Sequence, residues 1–327
     1  MTAVPVKTLD YLFGAKKQTR RLIVAGTHLK DGRVALIDRK NTVLLITNTD
    51  DESIQEVDLI KPLFEQNDAS GESGNKPEGF YKEHLKSEDG SRTVGYASAS
   101  WSEKANMKLS KPKYSQKEDV KPSDVNNGFN DDQLLITYTG KDFSLGVVYQ
   151  LRFEKQEIIL QQVLNVKVMD RTRSVVALDK EHLCATTQNQ IVVLNKSGDC
   201  MAMHNRSKRD RGGLLMSDGN GRVFYGDGDE FVCCQWNGRN MNEIFRFSHS
   251  RMKFPRGSAI DKSGRVVVCC DSSHNIFRIS SNGQQSEIIA SDGRKSFGDV
   301  DFHPDGGRFI TTFWEENEWP VLFGVRA

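Results

Sequence analysis

The chain has 327 residues, 45 Lys+Arg against 44 Asp+Glu, and a hydrophobic share of 37%. That balance fits one packed domain and excludes a disordered polyelectrolyte, and no apolar run approaches the ~18 residues of a membrane span. The opening MTAVPVKTLDYLFGAKK has no basic region ahead of a long apolar stretch, so no secretory signal is read and a cytoplasmic protein is expected.

In chain order, short Val, Ile and Leu runs alternate with Gly, Asn, Asp and Ser turns, the pattern of many short strands. The first apolar segment, 4–13, stands apart from the units after it. Residues 20–60 hold a four-strand unit that includes VALID and VLLIT after Gly32-Arg33. Two polar stretches rich in Ser, Lys, Glu, Asn and Gly come next, at 65–91 and 101–131, and both are expected to be long insertion loops. Between and after them, RTVGYASAS (92–100) and QLLITYT (133–139) are expected to be the first two strands of a unit at 92–165. Further units fall at 170–205, 212–248, 255–291 and 297–327.

The later units repeat. Gly-Arg pairs fall at 221/222, 264/265 and 307/308, an interval of 43 residues each time, with an apolar run on either side. The unit at 255–291 reads as strands near 256–261, 265–270, 275–280 and 285–290. A four-stranded unit repeating every ~40–50 residues is the signature of a propeller blade. The chain is therefore expected to be an all-β, six-bladed β-propeller, with a seventh blade from the polar region as the alternative. The last unit shows three strands, so 4–13 is expected to supply the fourth and close the ring.

Within the repeat, Pro255-Arg256-Gly257, Asp261, Gly264, Asp271 and Asn275 occur in the order that resembles an NHL repeat. The other blades match loosely, through Asp218/Gly221, Asp305/Gly307 and Asp31-Gly32. NHL propellers stand at the C-terminus of tripartite-motif proteins, some binding RNA and others binding proteins. The resemblance implies a recognition module, one that selects a target in any ubiquitination. The chain has no C-x-x-C zinc framework, so no ligase activity is assigned to these residues.

Blade topology makes the loop sequences informative. With strands named A to D from the axis outward, the D-to-A and B-to-C connections share one side of the disc. The D-to-A loops hold Lys16, Lys17, Arg20, Arg21, Lys167, Arg171, Arg173, Arg206, Lys208, Arg209, Arg211, Arg251, Lys253, Arg256, Arg294 and Lys295. Only Asp170, Asp210 and Asp292 oppose them in the same loops, which leaves 29 basic and 41 acidic residues elsewhere. Such asymmetry predicts a basic face that attracts an anionic partner, either a protein segment or single-stranded RNA. Tyr11, Phe13, Phe254, Phe297 and Trp314 lie near these loops and could stack on bases or cap the core. The competing expectation is that arginines pair internally with B-to-C acids such as Asp227, Asp229, Glu315 and Glu316.

No nucleophile elbow, HExxH, phosphate loop or dinucleotide fingerprint is present, so no cofactor is expected. His303 and His274 read as turn histidines. Asn195-Lys196-Ser197 and Asn205-Arg206-Ser207 match the glycosylation pattern by chance. Cys184, Cys200, Cys233, Cys234, Cys269 and Cys270 lack metal-ligand spacing and are expected to be reduced thiols. The alternative to a binding platform is a calcium-dependent lactonase-like hydrolase, which would need oxygen ligands converging on the channel. Asp218, Asp227, Asp261 and Asp271 are the acids weighed for that role. Asp218 and Asp261 occupy the repeating turn, where an aspartate stabilises the turn itself.

Overall fold

The computed structural model describes residues 3–9, 21–59, 121–140, 144–154, 157–168, 172–187, 189–208, 213–293, 295–315, 318 and 320–325. These contain no helix, and so none long and apolar enough to cross a membrane. They form 24 strands in six four-stranded antiparallel sheets. β1 (Ala3–Thr8) opens the chain. Blade one is β2 (Ile23–His28), β3 (Val34–Asp38), β4 (Val43–Thr47) and β5 (Ile54–Asp58). Blade two is β6 (Lys121–Asn127), β7 (Gln133–Thr139), β8 (Ser144–Glu154) and β9 (Glu157–Val168). Blade three is β10 (Val175–Ala177), β11 (His182–Thr186), β12 (Gln190–Asn195) and β13 (Cys200–Asn205). Blade four is β14 (Met216–Ser217), β15 (Arg222–Asp227), β16 (Glu230–Trp236) and β17 (Met241–Ser248). Blade five is β18 (Pro255–Ile260), β19 (Val266–Cys270), β20 (Asn275–Ile279) and β21 (Ser286–Ser291). Blade six is β22 (Phe297–Phe302), β23 (Arg308–Phe313) and β24 (Val321–Val325), with β1 as its outer strand.

The innermost strands touch in the cyclic order β2, β6, β10, β14, β18, β22 and back to β2, which makes the six sheets a closed propeller. Burial is greatest in the middle strands and least in the outer ones. The middle strands VALID, VVVCC and NIFRI are buried at every position, because a neighbouring blade covers each face. The outer strands IQEVD and CMAMHN are half exposed and alternate. Each junction between blades holds its own apolar cluster. Tyr138, Leu134 and Leu44 meet between blades one and two, and Tyr225, Val193 and Cys184 between three and four. Leu9, Ile23, Ile310 and Leu322 seal the junction between blades six and one.

The repeated Gly-Arg pair closes the A-to-B turn. In blade five Asp261 Oδ1 accepts from Ser263 N at 2.8 Å and Arg265 N at 3.0 Å, while Oδ2 takes Arg265 Nε at 2.7 Å. Blade four repeats this with Asp218 and Arg222. Gly264 holds φ +76°, the left-handed region that favours glycine.

Blade two departs from the sequence expectation. Its innermost strand is Lys121–Asn127, inside the stretch read as an insertion loop, and 92–100 lies outside the described residues. KPSDVNN shows no apolar alternation because its polar side chains are satisfied locally and across the junction to blade three. Ser123 Oγ donates to Arg173 O at 3.0 Å, Ser174 Oγ donates to Asp124, and Asn126 Nδ2 donates to Asp124 Oδ2 at 2.8 Å. The N-terminal segment supplies the closing strand as expected, over Ala3–Thr8, with Leu9 N bonded to Pro320 O at 3.0 Å, while 10–13 lie outside the described residues.

Five of the six outer strands carry a bulge against their inner neighbour, and the extra residue is apolar every time. It is Val6, Val163, Met201, Ile244 and Ile289. Ile289 is buried against blade six, while the other four are about half exposed or more. A bulged edge twists away from the flat geometry that invites pairing with another chain.

Leu9→Ala is expected to cost about 2–5 kcal/mol in chemical denaturation, the usual loss for a fully buried leucine. Deleting residues 1–9 exposes the β24 edge as well, so concentration-dependent association should appear in size-exclusion chromatography. A deletion that stays monomeric with the parent's midpoint would contradict this account of closure.

Candidate functional site

Two places gather polar side chains: the face carrying the D-to-A and B-to-C connections, and the innermost strands around the axis.

On the loop face, six of the described cations meet acids supplied by the B-to-C connections and the strands beside them. Arg21, just ahead of β2, reaches Asp38 Oδ2 at 3.2 Å and also pairs with Glu56. Lys208 Nζ lies 3.6 Å from Glu230, and Lys253 Nζ lies 2.8 Å from Asp229 Oδ2. Arg256 Nε lies 2.7 Å from Asp271 Oδ2, and Lys295 Nζ 2.8 Å from Glu318 Oε2. Arg206 is fully buried. It donates to Gly226 O at 2.7 Å, spans 3.8 Å to Asp227, and lies over the Tyr225 ring. Arg173 is half-buried, with its carbonyl accepting from Ser123 Oγ. Arg251 is exposed, and Lys167 is exposed near the end of β9. Lys16, Lys17, Arg20, Arg171, Arg209, Arg211 and Arg294 lie outside the described residues, as do Tyr11 and Phe13.

The acids that pair with the described cations sit mainly at the ends of strands B and C and in the connection between them, where Asp227 and Asp229 were the signal in sequence. Glu315, weighed with them, accepts instead from Ser296 N, and Glu316 is not described. The positions differ in kind. Asp227 is wholly buried, and burial pushes its carboxyl up, but donation from Ser207, Arg246 and the Lys208 amide outweighs this and holds it below the usual range. Asp229 is also held low, chiefly by Lys253, yet both partners are about half exposed. Buried pairs fix the loops, whereas exposed pairs are worth only about 0–1 kcal/mol and exchange readily.

The aromatics divide too. Phe297 is core, packed on Phe313 with ring centroids 5.4 Å apart. Trp314 lies under the Arg256 guanidinium, 4.2 Å from its ring centroid, with Phe254 at 5.8 Å. The Trp314 indole N–H has no acceptor among the described residues.

Around the axis, sequence reasoning missed Asp124 and Asp299. Both are buried, on β6 and β22, to either side of β2. Asp124 accepts from Ser174, Asn126 and Val125 N. Asp299 Oδ2 accepts from Gly26 N at 3.2 Å. Burial pushes Asp124 up to about 7 and Asp299 well above the usual carboxylate range, the latter also through the Asp124 charge. Neither stood out in sequence because each lies in a strand with little alternation, KPSDVNN and FGDVDF.

The acids weighed for a hydrolase do not converge. Asp218 and Asp261 hold A-to-B turns, Asp227 binds Ser207 and Arg246, and Asp271 pairs with Arg256. Among the described residues no group of three or more His, Cys, Asp or Glu side chains is placed to hold a metal ion. The six cysteines are unpaired, and all but Cys200 are buried. Burial raises Cys234 to about 11 and Cys233 to about 12, so these thiols stay protonated and unreactive at neutral pH.

No protein-family model matches the chain, and no curated protein matches it by sequence. Solved structures share its fold. The Cps50 (Swd1) β-propeller domain of Myceliophteria thermophila superposes with a TM-score of 0.52 at 8% identity, covering 93% of this chain and 83% of that one. A catalytically inactive virginiamycin B lyase from Staphylococcus aureus, with quinupristin, gives 0.56 at 11% identity over 99% and 98% of the two chains. The PQQ-bound aldose sugar dehydrogenase of Streptomyces coelicolor gives 0.59 at 8% identity over 99% and 98%. Identities this low establish the propeller fold alone, and the fold serves enzymes as well as other proteins.

Asp227→Asn should lower stability by about 3–5 kcal/mol in denaturant titration, because it strips the compensation from buried Arg206. Asp229→Asn, at an exposed pair, should change it by no more than about 1 kcal/mol. The depressed Asp227 carboxyl adds stability that is present above its unfolded value and lost as pH falls through its folded one, so the gap between wild type and Asp227→Asn should narrow in acid.

Proposed function

We propose that the chain is a non-catalytic recognition platform whose loop face binds an acidic segment of a protein partner. The observation that carries this reading is the partly exposed pairing of Lys208 with Glu230, Lys253 with Asp229 and Lys295 with Glu318. A partner carboxylate can replace the internal acid at each site with little net electrostatic cost, and the spacing of the sites confers selectivity. Trp314, packed on the core cluster with its indole nitrogen buried, backs this face from beneath the Arg256 guanidinium and fixes that arginine in place. The same mosaic argues against RNA as the principal ligand. Acids interleaved with the described cations weaken the continuous positive field that a polyphosphate needs. The resemblance to NHL propellers of tripartite-motif proteins supports target recognition, of which selection for ubiquitination is one form.

The enzymatic alternative has less support. The acids weighed for it serve turns and ion pairs, and the axial carboxylates bond to backbone and neutral side chains.

The test is crosslinking in cells followed by identification of protein and RNA bound to the propeller. Proteins should be recovered, and the triple reversal Lys208→Glu, Lys253→Glu, Lys295→Glu should abolish their recovery while leaving the thermal midpoint within about 2 °C. Recovery of RNA alone, with affinity falling steeply with salt, would replace this reading with the nucleic-acid one.

A further inference from the structure

We propose that Asp124 and Asp299 form a proton-holding pair at the axis, so that the ring is tightest with a proton on the pair and loosens around blade one when the proton leaves. The geometry carries this. The two carboxyls sit on β6 and β22, the innermost strands flanking β2, and both are buried. The donors to Asp124 among the described residues are neutral: Ser174 Oγ, Asn126 Nδ2 at 2.8 Å and Val125 N at 2.9 Å. Asp299 takes Gly26 N at 3.2 Å, and the absent side chain at Gly257 leaves room for its other oxygen, since a Cβ there would collide with Oδ1.

Among the described residues, the cations on the packed elements are turned elsewhere: Lys121, at the start of β6, is exposed, and Arg173, just ahead of β10, is half-buried with partners of its own and gives its carbonyl to Ser123 Oγ. On β2, His28 Nδ1 turns to Asp301 at 3.1 Å. On β18, Arg256 is held by Asp271 and Trp314. On β23, Arg308 faces Asp305 and Asp50. On β7, Tyr138 bonds to Tyr149 at 2.9 Å, and on β19 the Cys269 thiol reaches the Asp299 carbonyl at 3.7 Å. On β3, Asp38 is held by Arg21. Asp301, on β22 itself, adds like charge beside Asp299. Two buried like charges whose donors among the described residues are all neutral disfavour double ionisation, which is the condition for retaining a proton.

The sign of the effect is set by these shifts. Both carboxyls are raised above their unfolded values, so the folded state keeps a proton that the unfolded chain releases. The associated stability is complete below the unfolded value, about 3.9, and is lost as pH rises through the folded values. For Asp124 that value is about 7, which places part of the loss in the neutral range.

The experiment compares thermal midpoints between about pH 6 and pH 9 for the wild type, Asp124→Asn, Asp299→Asn and the double variant. The wild-type midpoint should fall by about 2–4 °C across the range, and the double variant should lose that fall. Should the asparagine variants fail to fold, infrared difference spectra of the wild type give a second readout. A carbonyl band of a protonated buried carboxylic acid should be present at pH 6 and diminish towards pH 9. A flat wild-type profile, an equal slope in the double variant, or the lack of that band would each overturn the proposal.

Discussion

Each blade of this chain has two apolar faces and cannot cover either by itself. Everything else in the structure answers that constraint. Six junctions, each with its own cluster of Val, Ile, Leu and aromatic side chains, bury what the individual sheets leave open. The arrangement succeeds only as a ring, because a terminal blade in an open stack would present an uncovered face. Pairing of β1 with β24 and the seating of Leu9 between blades six and one make the last junction equivalent to the others.

Most of this architecture was legible because two periodicities reinforce one another. The 43-residue interval of the Gly-Arg pairs located the A-to-B turns, whose aspartate and arginine bond back to each other. The continuous apolar runs on either side located the doubly covered middle strands. Blade two escaped because Lys121–Asn127 has neither cue. It has no Gly-Arg turn after it, and its inward-facing Ser123 and Asp124 are satisfied by partners that only the folded ring supplies. Hydropathy reports transfer from water and is silent about hydrogen bonds made across a junction.

The same limit governed the candidate site. Strand alternation correctly implied that D-to-A and B-to-C connections share a face, and Lys253 meeting Asp229 across them shows it. The pairing of the described cations depends on which acids stand beside them, and Asp227 and Asp229 were visible in sequence as B-to-C acids while Asp38 and Glu56 were not. Asp227 was read in sequence as a B-to-C acid able to pair with arginines and lies 3.8 Å from Arg206, whereas Asp38, the last residue of the apolar run VALID, gave no such cue and yet holds Arg21. Buried anchors, exposed and exchangeable pairs, and axial carboxyls with only neutral donors among the described residues thus separate into three roles that one residue type cannot distinguish.

The way the ring is fastened also sets its response to mechanical load. β1 and β24 run antiparallel with Ala3 opposite Val325, so both ends of the described chain lie at the same end of one ladder. Tension drawn between those residues bears on one rung at a time and peels the seam progressively, instead of shearing the whole ladder together. The bulge at Val6 interrupts the rungs partway along, so the ladder is locally weakened there. The fastening is thus weak against a pull along the chain.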